Sequence, residues 1–222
     1  MRRYIPSLGL VAGLSVATTL LLAAPASADA GLLSDAEESA IRSTMTEGGI
    51  DLEIQDQLVD KMEHGEAPDS LAGKGPVRTT IESTSTGTRT ISIFADGSRS
   101  WTELELPTGA SDAATRSSIS GCRSSAGWKV GCRVGVYDLI SSATFVIDYQ
   151  TSTSGRARVR DMRSLTCDNV AGSCTRSGSI KRATQSAAGP AWAELRYTAN
   201  LAWATTKGSI GIRVSGTSVS TY

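Results

Sequence analysis

The chain has 222 residues, with 22 basic and 22 acidic side chains, 40% apolar residues and 5% aromatics. That length makes one ordinary domain able to bury a core. So few aromatics argue against a long sugar-binding cleft and against the base-stacking platforms of single-strand nucleic-acid binders.

Met1–Ala28 reads as a secretory signal. Arg2 and Arg3 form a positive start and Leu8–Ala24 an apolar segment broken by Gly9, Gly13 and Ser15. Ala26-Ser27-Ala28 is a small-x-small cleavage site before Asp29. A membrane span needs ~20 apolar residues; this run is short, no later stretch is long enough, and there is no Leu-x-x-Cys lipoprotein box. Cleavage after Ala28 leaves 194 residues. The predicted organisation is a signal peptide over 1–28, an acidic helical lead-in over 29–73 and a β-sandwich over 74–222. The product would be exported, with no transmembrane segment in the mature chain.

In the lead-in, Ser34-x-x-Glu37 is a capping box. Ala40, Ile41 and Met45 give a thin apolar face before Gly48-Gly49 interrupts it. Asp51 reads as a second cap, followed by Ile54, Leu58 and Met62 on one stripe. Lys61 and His64 fall in the last turn, and Gly65 supplies a stop. Two helices with one narrow stripe each cannot fold alone, so they either dock on the β region or fray.

From Pro76 the period changes to two. Ala95-Asp96-Gly97-Ser98 separates TRTISIF from RSWTELEL, and Asp-Gly predicts a type I′ hairpin. Ile91, Ile93 and Ala95 share one face. Pro107–Ser118 reads as an exposed loop. Ala143, Phe145, Ile147 and Tyr149 share another face, opposite Thr144, Asp148 and Gln150. Ala191, Ala193, Leu195, Tyr197, Ala199, Leu201 and Trp203 alternate over a long run, and Ile210, Ile212 and Val214 repeat the pattern. Strands with one apolar face need a second sheet to cover them. The fold class is therefore mainly β, an antiparallel β-sandwich with a short N-terminal helical segment, with an open-ended barrel as the alternative.

Cys122, Cys132, Cys167 and Cys174 all lie downstream in an exported chain, where disulfides persist. Their spacing lacks the two-to-four-residue separation of common zinc sites, and the single histidine, His64, is far upstream. No metal and no cofactor is predicted. The local pairings Cys122–Cys132 and Cys167–Cys174 are favoured because each brackets a glycine-containing turn.

No residue is assigned a catalytic role. His64 sits among Asp60, Glu63 and Glu66, but no Gly-x-Ser-x-Gly motif accompanies it. Glu103 and Glu105 share a strand face with Trp101, and carboxylates so spaced serve some glycosidases; on a strand they more commonly solubilise a surface. Arg123-Ser124 between two bridged cysteines is the best candidate for the exposed cleavable bond of a protease inhibitor.

Charge is unevenly spread. Residues 31–69 hold eleven acidic side chains against Arg42 and Lys61, whereas residues 70–222 hold eighteen basic against ten acidic. Arg156, Arg158 and Arg160 alternate along one predicted strand, with Arg163, Arg176, Lys181 and Arg182 following. A hairpin between Cys167 and Cys174 would place both groups on neighbouring strands as a polyanion-binding stripe of Arg156, Arg158, Arg160, Lys181 and Arg182. The acidic helices are natural candidates to cover it.

Four phrases, IQDQLVDKMEHGEAPDSL, ISIFADGSRSW, ISGCRSSAGWKVGCRVG and GPAWAELRYTA, give the mature chain a resemblance to small secreted proteins of high-GC Gram-positive bacteria. The resemblance implies an exported, disulfide-bearing, β-rich protein with a helical lead-in, and no particular activity. The expected function is non-enzymatic binding outside the cell or at its wall, with an anionic wall polymer or an extracellular protein as partner. The alternatives are an extracellular protease inhibitor and a wall-modifying hydrolase.

Overall fold

The computed structural model describes residues 32–107, 121–154, 156–170, 172–201 and 205–222. The signal segment 1–28, residues 108–118 of the expected loop and Trp203 lie outside them.

Two helices come first. Helix α1 (Asp35–Glu47) starts at Ser34, whose hydroxyl accepts the Glu37 amide while the Glu37 carboxylate accepts the Ser34 amide, the reciprocal capping box. Helix α2 (Leu52–Glu63) follows Asp51, which stands at the N-cap without a side-chain bond. Each helix is apolar on one side only, so a helix pair of this kind is stable only when that side is covered. Ile41, Met45, Leu58 and Met62 are fully buried together with Leu139 and Ile140 of a strand-to-strand turn, and Val170 packs against them. The pair docks.

Eleven strands build the rest, namely β1 (Arg78–Ser83), β2 (Gly87–Ile93), β3 (Arg99–Glu105), β4 (Arg123–Ser125), β5 (Trp128–Tyr137), β6 (Ser141–Gln150), β7 (Arg158–Asn169), β8 (Gly172–Arg182), β9 (Ala191–Leu201), β10 (Thr205–Ser215) and β11 (Ser218–Thr221). The large sheet runs β1-β2-β3-β5-β6-β7, with β4 added to β5, and the small sheet runs β11-β10-β9-β8. Every pairing is antiparallel. The alternating residues face each other between the sheets: Val134, Phe145, Ile147 and Tyr149 from one side, Ala193, Leu195, Ile210 and Ile212 from the other. Burial of apolar surface at roughly 25 cal/mol per Å² is what holds the two layers together. It also pushes the Tyr149 phenol up to about 12.

Two local expectations are corrected. The Asp96-Gly97 turn is not type I′. Gly97 donates to the Phe94 carbonyl at 3.1 Å and alone in the turn has positive φ, +79°, which is a type I turn closed by a glycine bulge. Asp96 stays out of the left-handed region because its carboxylate is in use. Oδ1 accepts the Ser98 amide at 3.0 Å and hydroxyl at 2.6 Å, and Oδ2 accepts the Asp69 amide at 2.8 Å and Lys61 Nζ at 2.9 Å. The type I′ turn lies instead at Ala126-Gly127, both with positive φ, +48° and +80°, between Ser125 and Trp128.

The second correction concerns β7 and β8, which do not form a hairpin within one sheet. β7 ends the large sheet and β8 ends the small one. Register shifts along β7, with positive φ at Asp161 and Ser164, add the twist that carries the chain off the large sheet. The two strands meet at the Cys167–Cys174 disulfide and where Arg176 donates to the Leu165 carbonyl at 2.6 Å, and Thr184, just past β8, bridges to Arg158. Both expected disulfides are present, and no described cysteine is free. No helix among the described residues is long and apolar enough to cross a membrane.

Candidate functional site

The two ends of the sandwich differ. At the helical end, the helices cover the 94–98 turn, the 138–140 turn and Val170. A Cβ added at Gly48 would stand 2.9 Å from the Trp101 ring, and one at Gly97 would stand 2.6 Å from the Ile54 side chain, so the end of α1 lies close on β3 and α2 close on the hairpin turn. Asp138 closes the 138–141 turn from within, accepting the Ile140 amide at 2.9 Å and the Ser141 amide and hydroxyl at 2.6 and 2.7 Å. Burial raises its pKa.

The far end opens. β3 and β5 pair from Trp101↔Tyr137 to Leu104↔Val134 and then part. Beyond that point Glu105 accepts the Arg133 amide through its side chain, at 3.0 Å, in place of a ladder bond. Cys122 joins Cys132 beside the gap, and the β5–β6 register slips between Lys129 and Cys132. The slip leaves the Gly131 amide to a side chain, Asp148 Oδ1, at 2.9 Å. Arg163 donates twice to that same oxygen, at 3.1 and 3.2 Å, so the buried Asp148 carboxylate has a cation beside it.

The parted strands leave a groove of about 610 Å³. Thr84, Thr86 and Thr88 form one wall and Arg123, Arg133 and Arg163 the other, with Glu103 and Glu105 on the floor strand. Glu103 is bound to Arg89 at 2.6 Å, and Arg163 to Asp148. Arg123 and Arg133 are exposed, and neither guanidinium has a partner among the described residues. The groove therefore offers hydroxyls and two unpaired cations to a ligand.

The five residues expected to form one basic stripe lie on or beside two strands of different sheets, whose ends meet at the Arg158–Thr184 bridge. Arg156 is exposed just before β7, and Arg158 and Arg160 are exposed on it. Arg160 lies 3.9 Å over the Trp128 ring and 3.3 Å from Asp161. Lys181 and Arg182 belong to the small sheet: Lys181 stands 3.8 Å from Glu194, and Arg182 donates to the Pro190 carbonyl. The helices do not cover the stripe; among the described residues their carboxylates pair with Arg42, His64 and Arg89. Arg123 sits in the paired strand β4, opposite Val130, and its bond to Ser124 is not held out on an unpaired loop. His64 ends α2 in solvent, its Nδ1 donating to the Asp60 carbonyl at 2.7 Å, which favours the protonated ring.

Sequence reading found the Glu103 and Glu105 pair, Arg123 and Arg163, but not the groove that unites them. Thr84, Thr86, Thr88 and Arg133 carried one weak signal, a Thr-x-Thr-x-Thr alternation and a place next to Cys132. No family model matches the chain, and no curated protein and no solved structure matches it.

Proposed function

We propose that the protein is exported and binds an anionic wall polymer non-enzymatically through the groove at the open end of the sandwich. The observation that carries this reading is the pair of partnerless guanidiniums, Arg123 and Arg133, in a groove of about 610 Å³ that Thr84, Thr86 and Thr88 also line. Repeating phosphates or carboxylates suit that lining, because a guanidinium grips such groups bidentately and hydroxyls complete their shell. Both disulfides fit an oxidising compartment, and the signal-like segment and the resemblance to small secreted proteins point the same way.

One observation favours the second reading, a wall-modifying hydrolase: Glu103 and Glu105 line the same groove. Against it, Glu103 is held by Arg89 and Glu105 by the Arg133 amide, so both carboxylates already serve the fold. An inhibitor role is weakened by the strand pairing of Arg123.

The test is retention of the pure protein on beads carrying a phosphate-rich wall polymer, over a range of salt. The Arg123→Ala/Arg133→Ala double variant is expected to bind about tenfold more weakly, with a shallower dependence on salt. The Arg156→Ala/Arg158→Ala variant should bind like the parent. Unchanged retention of the first variant overturns the reading, and release of polymer fragments that Glu103→Gln abolishes would establish the hydrolase.

A further inference from the structure

β1 ends the large sheet with its outer side unpaired among the described residues. The small sheet stops short of it. Its last strand, β11, reaches only β3, where Thr102 and Thr221 share a hydrogen bond at 3.0 Å. Ile81, Thr90 and Thr102 stand in one row across β1, β2 and β3, so Ile81 projects from the inward face into the space the small sheet leaves uncovered. Ile81 is 75% exposed and Val77 67%, an unusual state for such side chains.

The backbone of that edge is also unsatisfied, and the register says which residues offer it. Thr84 donates to the Gly87 carbonyl at 2.8 Å, within the Thr84–Gly87 turn that continues the β1–β2 ladder. Antiparallel pairs alternate between bonded and non-bonded. Counting back from Thr84, residues 82, 80 and 78 bond to β2, whereas Thr79, Ile81 and Ser83 turn their N–H and C=O groups outward.

We propose that a second copy of this chain pairs with the first along β1, antiparallel about a two-fold axis at Thr80, so that the two large sheets run on as one. Only a register that pairs odd residues with odd ones uses the outward groups. The register centred on Thr80 does so, setting Thr79 opposite the second copy's Ile81. It also sets Arg78 opposite the second copy's Glu82, and Glu82 opposite its Arg78, both in the closer, non-bonded type of pair. Arg78 and Glu82 are exposed, and neither has an ionic partner among the described residues; Arg89, across from Glu82, is engaged by Glu103. A two-fold axis makes the match reciprocal, as a symmetric dimer requires. The two Ile81 side chains come within diagonal reach on the uncovered face, which removes their exposed surface from water. Registers centred on Arg78 or Glu82 would oppose like charges, whereas the one centred on Thr80 pairs opposite charges twice.

The experiment is sedimentation velocity of the mature protein over a wide concentration range. The parent is expected to be dimeric at the upper end. Arg78→Glu alone, which places Glu opposite Glu twice, should raise the dimer dissociation constant by about tenfold or more. The exchanged variant Arg78→Glu/Glu82→Arg should restore it. Ile81→Pro removes an N–H that β2 does not use, so it should give a monomer with an unchanged circular-dichroism spectrum. A parent that stays monomeric, an Arg78→Glu dimer as tight as the parent's, or an exchanged variant no tighter than Arg78→Glu overturns the proposal. An extended segment of another protein on this edge would show as a monomeric parent.

Discussion

One end of the sandwich is sealed and the other is left open, and the two are built from different materials. The sealed end combines apolar helix faces, a glycine pressed on Trp101 and the Lys61–Asp96–Asp69 cluster, so its charged groups are paired and its apolar surfaces covered. The open end is held by a disulfide, a bulge and a buried aspartate, and its Arg123 and Arg133 guanidiniums have no partner among the described residues. Apolar packing is concentrated at the first end, and partnerless cations at the second. The two ends touch through Tyr137, which lines the groove and stacks on Trp101, and through Arg89, which binds Glu103 and the Glu47 carbonyl.

The largest effect is expected at Gly48. A valine there must push into the Trp101 ring, and overpacking of this kind costs about 1–3 kcal/mol. In Gly48→Val, hydrogen exchange should accelerate at the α1 and α2 amides while the amides of β6 and β9 keep their protection. Equal acceleration in strands and helices would mean that the two ends are one cooperative unit.

An intermediate effect is expected on acidification. Burial alone would raise the Asp96 pKa. The Ser98 hydroxyl and amide, the Asp69 amide and Lys61 outweigh it, and lower the pKa from 3.8 to about 2. A carboxylate with a depressed pKa stabilises the fold fully above its unfolded value and loses that contribution as pH falls through the folded one. The helical end should therefore loosen between pH 3.8 and about 2, read as helix exchange rates, with the groove end unaffected by this group. Asp96→Ala should abolish that dependence and cost about 2 kcal/mol at neutral pH, because several donors lose their acceptor.

The smallest effect lies at the open end and has the opposite sign. Ala126 occupies the left-handed region, φ +48°, in the first place of a type I′ turn. Asn is preferred there, so Ala126→Asn should stabilise the protein by about 0.5–1 kcal/mol in urea unfolding.

The sandwich interior was legible in the sequence because its signal is local and repeated. The alternations from Ala143 to Tyr149 and from Ala191 to Ala199 carry their own period, and burial follows it except at Asp148 and Glu194, carboxylates buried on the other face beside arginine partners. The capping box and both disulfides were legible for the same reason of short separation. The groove was not, because Thr84, Glu105, Arg133 and Arg163 come from distant strands and each is an ordinary polar residue alone. The turn at Asp96 misled for a subtler reason. Asp-Gly favours type I′ when the aspartate has no other task, and here its carboxylate is fixed by α2 and by the Asp69 amide. The departure of β8 from β7 depends on accumulated twist, which no dipeptide reports.

The Cys167–Cys174 bridge spans the point where the chain leaves one layer for the other. A protease that cuts the peptide anywhere between Asp168 and Ser173 would therefore release nothing. The two fragments stay covalently joined through the two sulfurs. The crossing is fastened twice, once by the main chain and once by sulfur, so a nick that would split an unbridged sandwich along its seam leaves this one whole.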